Sequence, residues 1–185
     1  MGTPGTPDLV NLVALIFAAN IDYWFDRVKN RLEEVFGPMD YVSEELDFEK
    51  YTLYYNQEMG VGIKARLVSF ERLVHPYALA DIKLITNAIE DDFRVDGKRR
   101  VNIDPGYVHH AQFVLATTKY WANRVYLRRG IYADVTLTYV RGRFVPGPST
   151  YPNYRDEVYI NEIQKIREMY LRKRKKLRSK GSIEE

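Results

Sequence analysis

Cysteine is absent from the sequence, which in one step excludes a disulfide scaffold, thiolate-bound zinc, iron–sulfur clusters and a thiol nucleophile. The reducing cytoplasm is the expected compartment. Long apolar runs are missing too: the longest, Leu9 to Ala19, is broken by Asn11 and falls far short of the roughly 20 residues a membrane-spanning helix needs. No basic segment precedes it, so neither a signal peptide nor a membrane anchor is expected. Met1-Gly2 with Thr6 fits a myristoylation pattern only nominally, because Pro4 interrupts it.

What is present suffices for one domain with a sizeable core: 185 residues, 45% of them apolar. Met1 to Asp8 is largely Gly, Pro and Thr with nothing to bury, and reads as a disordered leader. Residues 9–155 form the expected α+β domain, and residues 156–185 a C-terminal helix with a basic tail. The net charge of +3 hides an asymmetry, since residues 165–185 carry +6 and residues 1–164 carry −3. Any attraction for polyanions therefore has to come from the tail, where Arg172, Lys173, Arg174, Lys175 and Lys176 run together.

Leu12 to Phe17 is an unbroken apolar run, which fits a strand covered on both faces at the centre of a sheet. From Ile21 the period changes. Ile21, Trp24, Phe25, Val28, Leu32, Val35 and Phe36 recur at helical spacing, with Asn20 placed to cap the start and Gly37-Pro38 to end it. Met39 to Phe48 reads as a second strand, with Glu44, Glu45, Asp47 and Glu49 marking its wet side. Tyr51 to Gly62 is an aromatic loop whose Tyr51, Tyr54 and Tyr55 either pack onto the sheet, the commoner use, or stack a base or sugar. Ile63 to Leu73 is a third strand. Pro76 opens a second helix carried by Leu79, Ile82, Ile85, Ile89 and Phe93, and Asp96-Gly97 turns the chain into a strand with Val101 and Ile103. The order β-α-β-β-α-β predicts a ferredoxin-like core with both helices on one face of an antiparallel sheet. An extra helix over His110 to Ala122, additional strands over Arg124 to Tyr139, a hairpin at Arg141-Gly142-Arg143 and a Pro-rich crossing over Phe144 to Tyr154 follow. A last helix carries an apolar stripe through Val158, Ile160, Ile163, Ile166, Met169 and Tyr170. Beyond Tyr170 almost nothing can be buried, and the chain is expected to be solvated or frayed.

One stretch concentrates chemistry. Gly97 to Tyr139 reads as strand, Asp104-Pro105-Gly106 turn, helix and strand, which gathers Arg99, Arg100, Asp104, Gly106, Thr117, Thr118 and Lys119 around one helix entrance. Free amides after Gly106 would suit an anion, Arg99, Arg100 and Lys119 supply counter-charge, and Asp104 suits magnesium or a base. A plainer reading stays open beside it, in which Asp104 starts a turn and Thr118 bonds back within its helix. His109 and His110, as neighbours on a helix, would face apart, and His75 and Asp104 could join them only through tertiary contacts; no metal site is expected. Two functions of different class follow. The first is a site for a phosphorylated small molecule or nucleotide at Arg99, Arg100, Asp104, Gly106, Thr118 and Lys119. The second is a non-enzymatic RNA-associated module using the sheet face and the basic tail. No motif specifies a cofactor, a reaction or an oligomeric state.

The segments LVALIF, FGPMD, YYNQEMGVGIKARLVSFERLV, IKLITNAIEDDF, DGKRRVNIDPGYV, LATTK, RVYLRRGIYADVTL and TYPNYR, taken in order, resemble an uncharacterised prokaryotic family, domain of unknown function 4416, over about residues 10–155. The resemblance implies no established activity and transfers no catalytic residue. Some relatives carry a GTP-binding label, but the sequence does not support a conventional GTPase. A P-loop needs Gly, four residues, then Gly-Lys-Ser/Thr. Here Gly97-Lys98 is followed by Arg99 with Asp92 in the first glycine's place, and Gly62 is followed by Ile63 before Lys64. The guanine-reading pattern Asn/Thr-Lys-x-Asp fails as well, because Thr118-Lys119-Tyr120 leads into Trp121.

Overall fold

A computed structural model describes residues 2–181. β1 (Val10–Ala19) is buried almost throughout, as an unbroken apolar run requires of a strand with both sides covered. Its alternation separates two of the protein's core clusters: Val13, Leu15 and Phe17 belong to one, Leu12, Ala14 and Ile16 to the other. α1 (Ile21–Phe36) packs on the second side through Ile21, Phe25, Val28 and Leu32. Full burial of Val28 and Leu32 stabilises by about 1.5–3 kcal/mol each. Gly37, at φ 86°, ends the helix and donates its N–H to the Glu33 carbonyl. Asn20 is not the side-chain cap expected of it. The reversal out of β1 places it in the left-handed region, at φ 59°, and its side chain makes no capping bond.

Met39 to Phe48 is two short strands, β2 (Met39–Val42) and β3 (Leu46–Asp47), both paired with β4 (Ile63–Val74). The ladder is interrupted at Ser43, whose hydroxyl accepts the Leu67 N–H while its own N–H donates to the Leu67 carbonyl. Between β3 and β4 the aromatic segment folds into a 3-10 turn at Glu49–Tyr51 and a one-turn α2 (Asn56–Met59). After Pro76 comes α3 (Leu79–Asp92), beside α1. Ile85, expected inside, is exposed, while Lys83, Thr86 and Glu90 are buried. Asp96 and Gly97 turn the chain at positive φ, as expected, toward β5 (Asn102–Val108).

The helix expected over His110 to Ala122 is replaced by β6 (Gln112–Thr117), which forms a hairpin with β5. Phe113 to Ala116 are all buried, because this strand too is covered on both sides. Asp104-Pro105-Gly106 consequently lies inside β5, not at a turn, and no helix begins there. β7 (Arg124–Arg128), β8 (Ile131–Val140) and β9 (Arg143–Pro146) form the additional strands, with the hairpin at Arg141-Gly142 closing on Val140 and Arg143. All pairings are antiparallel, in the order β2-β4-β1-β5-β6-β8-β7, with β3 also on β4 and β9 also on β8. The protein is α+β, with a single antiparallel sheet.

α4 (Glu157–Gly181) covers the first side of the sheet with Tyr159, Ile160, Ile163 and Ile166. Tyr159 takes the inward place expected of Val158, which is exposed. The helix does not fray after Tyr170. Lys173 Nζ reaches Asn11 Oδ1 at 2.7 Å, the Phe70 carbonyl at 2.8 Å and Asp40 Oδ2 at 2.5 Å, and Arg174 reaches Asp8 Oδ2 at 2.5 Å. These polar partners on three strands and the leader, invisible in the tail itself, give the basic segment something to dock on. Met1 and residues 182–185, including Glu184 and Glu185 of the tail, lie outside the described residues. Among the described residues no helix is long and apolar enough to cross a membrane.

Candidate functional site: a cleft where the sheet divides

β5 pairs with β1 over seven residues, Asn102–Val108 against Phe17–Asn11, but with β6 only at Gly106, Tyr107 and Val108. Gly106 is the last point of contact. A Cβ there would lie 2.3 Å from the Val114 carbonyl oxygen, so close strand approach requires glycine. Beyond it β5 stays with β1 while β6 stays with β8, and a cleft of about 750 Å³ opens. Pro105 stands at the fork. The alternation along β5 turns its nitrogen toward the side where β6 has departed, and proline has no N–H to leave unpaired there.

The opened edge of β5 is satisfied by α3. The Ile103 N–H donates to Glu90 Oε1 at 2.6 Å, and the Ile103 carbonyl accepts from Lys83 Nζ at 3.1 Å. Lys83 also reaches Asp104 Oδ1 at 3.3 Å. Lys83, Asn87 and Glu90 recur at spacings of four and three residues and all line the cleft, a polar stripe on a helix face that points inward. Burial pushes the Glu90 carboxyl up to about 7, against the pull of the Lys83 ammonium and the Ile103 N–H.

Asp104 is central to this space. Tyr55, Tyr151 and Tyr154 are all raised above the ordinary tyrosine value, mainly by burial, and in each the Asp104 carboxylate adds to the rise. One wall is fastened by Arg99, which holds Glu58 in a bidentate pair at 3.0 and 2.7 Å and donates to Asn102 Oδ1 at 3.0 Å. Its guanidinium in turn keeps the Glu58 carboxyl below the usual carboxylate range. Behind Tyr151 and Lys119, Arg124, half-buried with its side chain covered, donates to Asp134 Oδ2 at 2.8 Å, the Tyr151 hydroxyl at 2.5 Å and the Lys119 carbonyl at 2.8 Å. One side chain thus sets both Tyr151 and the Lys119 loop. Across the mouth, Lys119 Nζ stands 4.8 Å from the centre of the Tyr54 ring.

Of the residues singled out in the sequence, Arg99, Asp104, Thr117, Thr118 and Lys119 line this cleft. Arg100 and Gly106 lie outside the lining, and Gly106 acts instead as the strand contact at the fork. Thr118 lies in no helix; the nearby Thr117 hydroxyl accepts the Lys119 N–H. Sequence reasoning missed Lys83, Glu90, Asn102, Tyr151, Asn153 and Tyr154. The Lys83-Asn87-Glu90 spacing was the available signal; Asn153 and Tyr154 gave none. Among the described lining residues, Asn102 Nδ2 is buried without a hydrogen-bond partner, and Asn153 Nδ2 and the Tyr154 hydroxyl, also buried, meet only each other, outside good hydrogen-bond geometry. Each such atom ordinarily costs about 1–3 kcal/mol.

The basic tail is divided. Lys173 and Arg174 are turned to the body, while Arg172, Lys175 and Lys176 are exposed or nearly so. Residues 8–170 match the model of a family described as Domain of unknown function (DUF4416), and the chain belongs to that family. The match continues past residue 155 through the buried stripe of α4, which is part of the core. No curated protein and no solved structure matches the chain.

Proposed function

We propose that this family member binds a phosphorylated small molecule or a nucleotide in the cleft between β5 and β6. The observation that carries the reading is convergence: Arg99 and Asp104, before and within β5, and Thr118 and Lys119, just after β6, line one concavity with Tyr54 and Tyr55 from the segment before β4. Its volume of about 750 Å³ lies within the range of small-molecule sites. Tyr54 and Tyr55 offer aromatic faces to a planar group, and Lys119 offers charge to a phosphate. Asn102, Asn153 and Tyr154 hold polar atoms that an acceptor-rich ligand would satisfy after small side-chain adjustments. Where magnesium accompanies the phosphates, Asp104 is the carboxylate to hold it. This is not a P-loop mode, and the backbone around Asp104 offers no helix entrance. The ferredoxin-like βαββαβ core, extended by β6 to β9, belongs to the same proposal and is supported by the order β2-β4-β1-β5 and by α1 and α3 packing beside each other. A cytoplasmic home fits the absence of cysteine.

A melting screen against nucleotides, sugar phosphates and divalent metals, at low and moderate salt, tests the binding claim. A ligand at a hundred times its Kd adds about 2.7 kcal/mol of stability. One class of compound should shift the wild type but not Asp104→Ala or Lys119→Ala; a screen that moves nothing removes the reading.

A second reading, a non-enzymatic RNA-associated module, is favoured by the exposure of Arg172 and Lys176 within a segment of net charge +6. Because both faces of the central strands are covered, it would depend on the tail more than on the sheet. Retention on RNA that collapses with salt and is lost on Arg172→Glu/Lys175→Glu/Lys176→Glu supports it. Retention unchanged in that variant counts against it.

A further inference from the structure

At the end of β5 away from the cleft, the turn into β6 holds His109 and His110. Helical neighbours would face apart, but this turn brings the rings together, with centroids 4.1 Å apart and His109 Nε2 3.2 Å from His110 Nδ1. That separation is close to the bite of a bis-imidazole chelate: two nitrogens about 2.0–2.1 Å from one tetrahedral ion lie roughly 3.4 Å apart. Asp8 completes the group. One of its carboxylate oxygens and one nitrogen of each ring all fall within 4.8 Å of one another.

We propose that Asp8, His109 and His110 bind a divalent transition-metal ion, Zn2+ foremost, with the remaining coordination open to solvent. The ring positions are anchored by the backbone: the His109 N–H donates to the Gln112 carbonyl at 2.9 Å, and the His110 carbonyl accepts from Arg167 Nε at 2.8 Å. Asp8 precedes β1 and belongs to no strand, so it can approach the rings without breaking a ladder bond. Both of its carboxylate oxygens also accept from guanidinium, Oδ2 from Arg174 at 2.5 Å and Arg178 at 3.2 Å and Oδ1 from Arg178 at 3.3 Å, outer partners of the kind that ligating carboxylates receive. Those two guanidiniums also set the selectivity. An ion that must share Asp8 with them has to draw its affinity from imidazole nitrogen, which favours Zn2+, Ni2+ or Cu2+ over Mg2+ and Ca2+. Bound metal would tie the leader to the β5–β6 turn, independently of the cleft.

The alternative use of the same geometry is a plain imidazole–imidazole hydrogen bond, and titration of the full-length, metal-free protein separates the two. Zn2+ should bind at one ion per chain, and Co2+ in its place should give the visible bands of a tetrahedral site; Mg2+ should leave both unaffected. Asp8→Ala, which removes a ligand outright, should weaken binding by more than the roughly tenfold that loss of an outer partner alone costs. His109→Gln, which keeps the size and hydrogen bonding of the side chain, should abolish the Co2+ bands while the metal-free melting temperature stays close to that of the wild type. Absence of the bands in the wild type, or their persistence in His109→Gln, overturns the site.

Discussion

The two edges of β5 are met by different means. Toward β1, seven consecutive residues pair backbone to backbone; toward β6, three do, after which the backbone groups of Ile103 turn to Lys83 and Glu90 of α3. A backbone ladder needs no particular side chains, whereas an edge completed by side chains needs those residues and their burial. The closed edge builds the core and the open edge builds a cleft. The sensitivity of the molecule to substitution should therefore be lopsided about a single strand.

The largest effect should come from the outer wall of the open side. Arg124→Ala leaves Asp134, only 1% exposed, buried without its cation, and urea denaturation should register a loss of about 3–5 kcal/mol. The next test uses pH. Glu90 titrates near 7 in the folded protein against an ordinary 4.5, so between those values the folded state binds more protons than the unfolded state. The penalty from this group is absent below 4.5 and grows as pH rises toward 7. The stability of the wild type relative to Glu90→Gln should accordingly fall by up to about 3 kcal/mol across that window. Lys83→Met, which strips the Ile103 carbonyl and Asp104 of their donor, should cost about 1–3 kcal/mol in the same assay. Gly106→Ala forces β5 and β6 apart at the fork and should cost a similar 1–3 kcal/mol, roughly. On the closed side, Ile16→Val trims a fully buried side chain but leaves the ladder intact, for about 0.5–1.5 kcal/mol. If Lys83→Met proves no worse than Ile16→Val, the contrast between the edges fails.

Much of the closed side was legible in the sequence, because its signals are local. The apolar run of β1, the period of α1, the Gly37-Pro38 stop and the Asp96-Gly97 turn each announce themselves within a few residues. The open side depends on neighbours remote in sequence. Asp-Pro-Gly ordinarily ends an element, yet Pro105 is tolerated where β6 has left and Gly106 is required where it is nearest. Lys83 and Glu90 look like the wet face of a helix until Ile103 supplies the edge they complete. Asp104 and Lys119 stood out as a concentration of charge, whereas Asn153 and Tyr154 come from a Pro-rich crossing that reads as surface. Lys173 looks solvated for the same reason, since its partners Asn11, Asp40 and Phe70 belong to three different strands.

The central claim is that the open edge is a ligand site, and side-chain amide resonances report on it directly. The 15N-labelled protein would be titrated in turn with GMP, ATP, glucose 6-phosphate and orthophosphate. The prediction is that at least one probe shifts the NH2 signals of Asn102 and Asn153 and the backbone amide of Lys119 in a saturable way, and that Lys119→Ala abolishes the response. Probes that leave those three signals still, or that move only Arg172, Lys175 and Lys176, would contradict it.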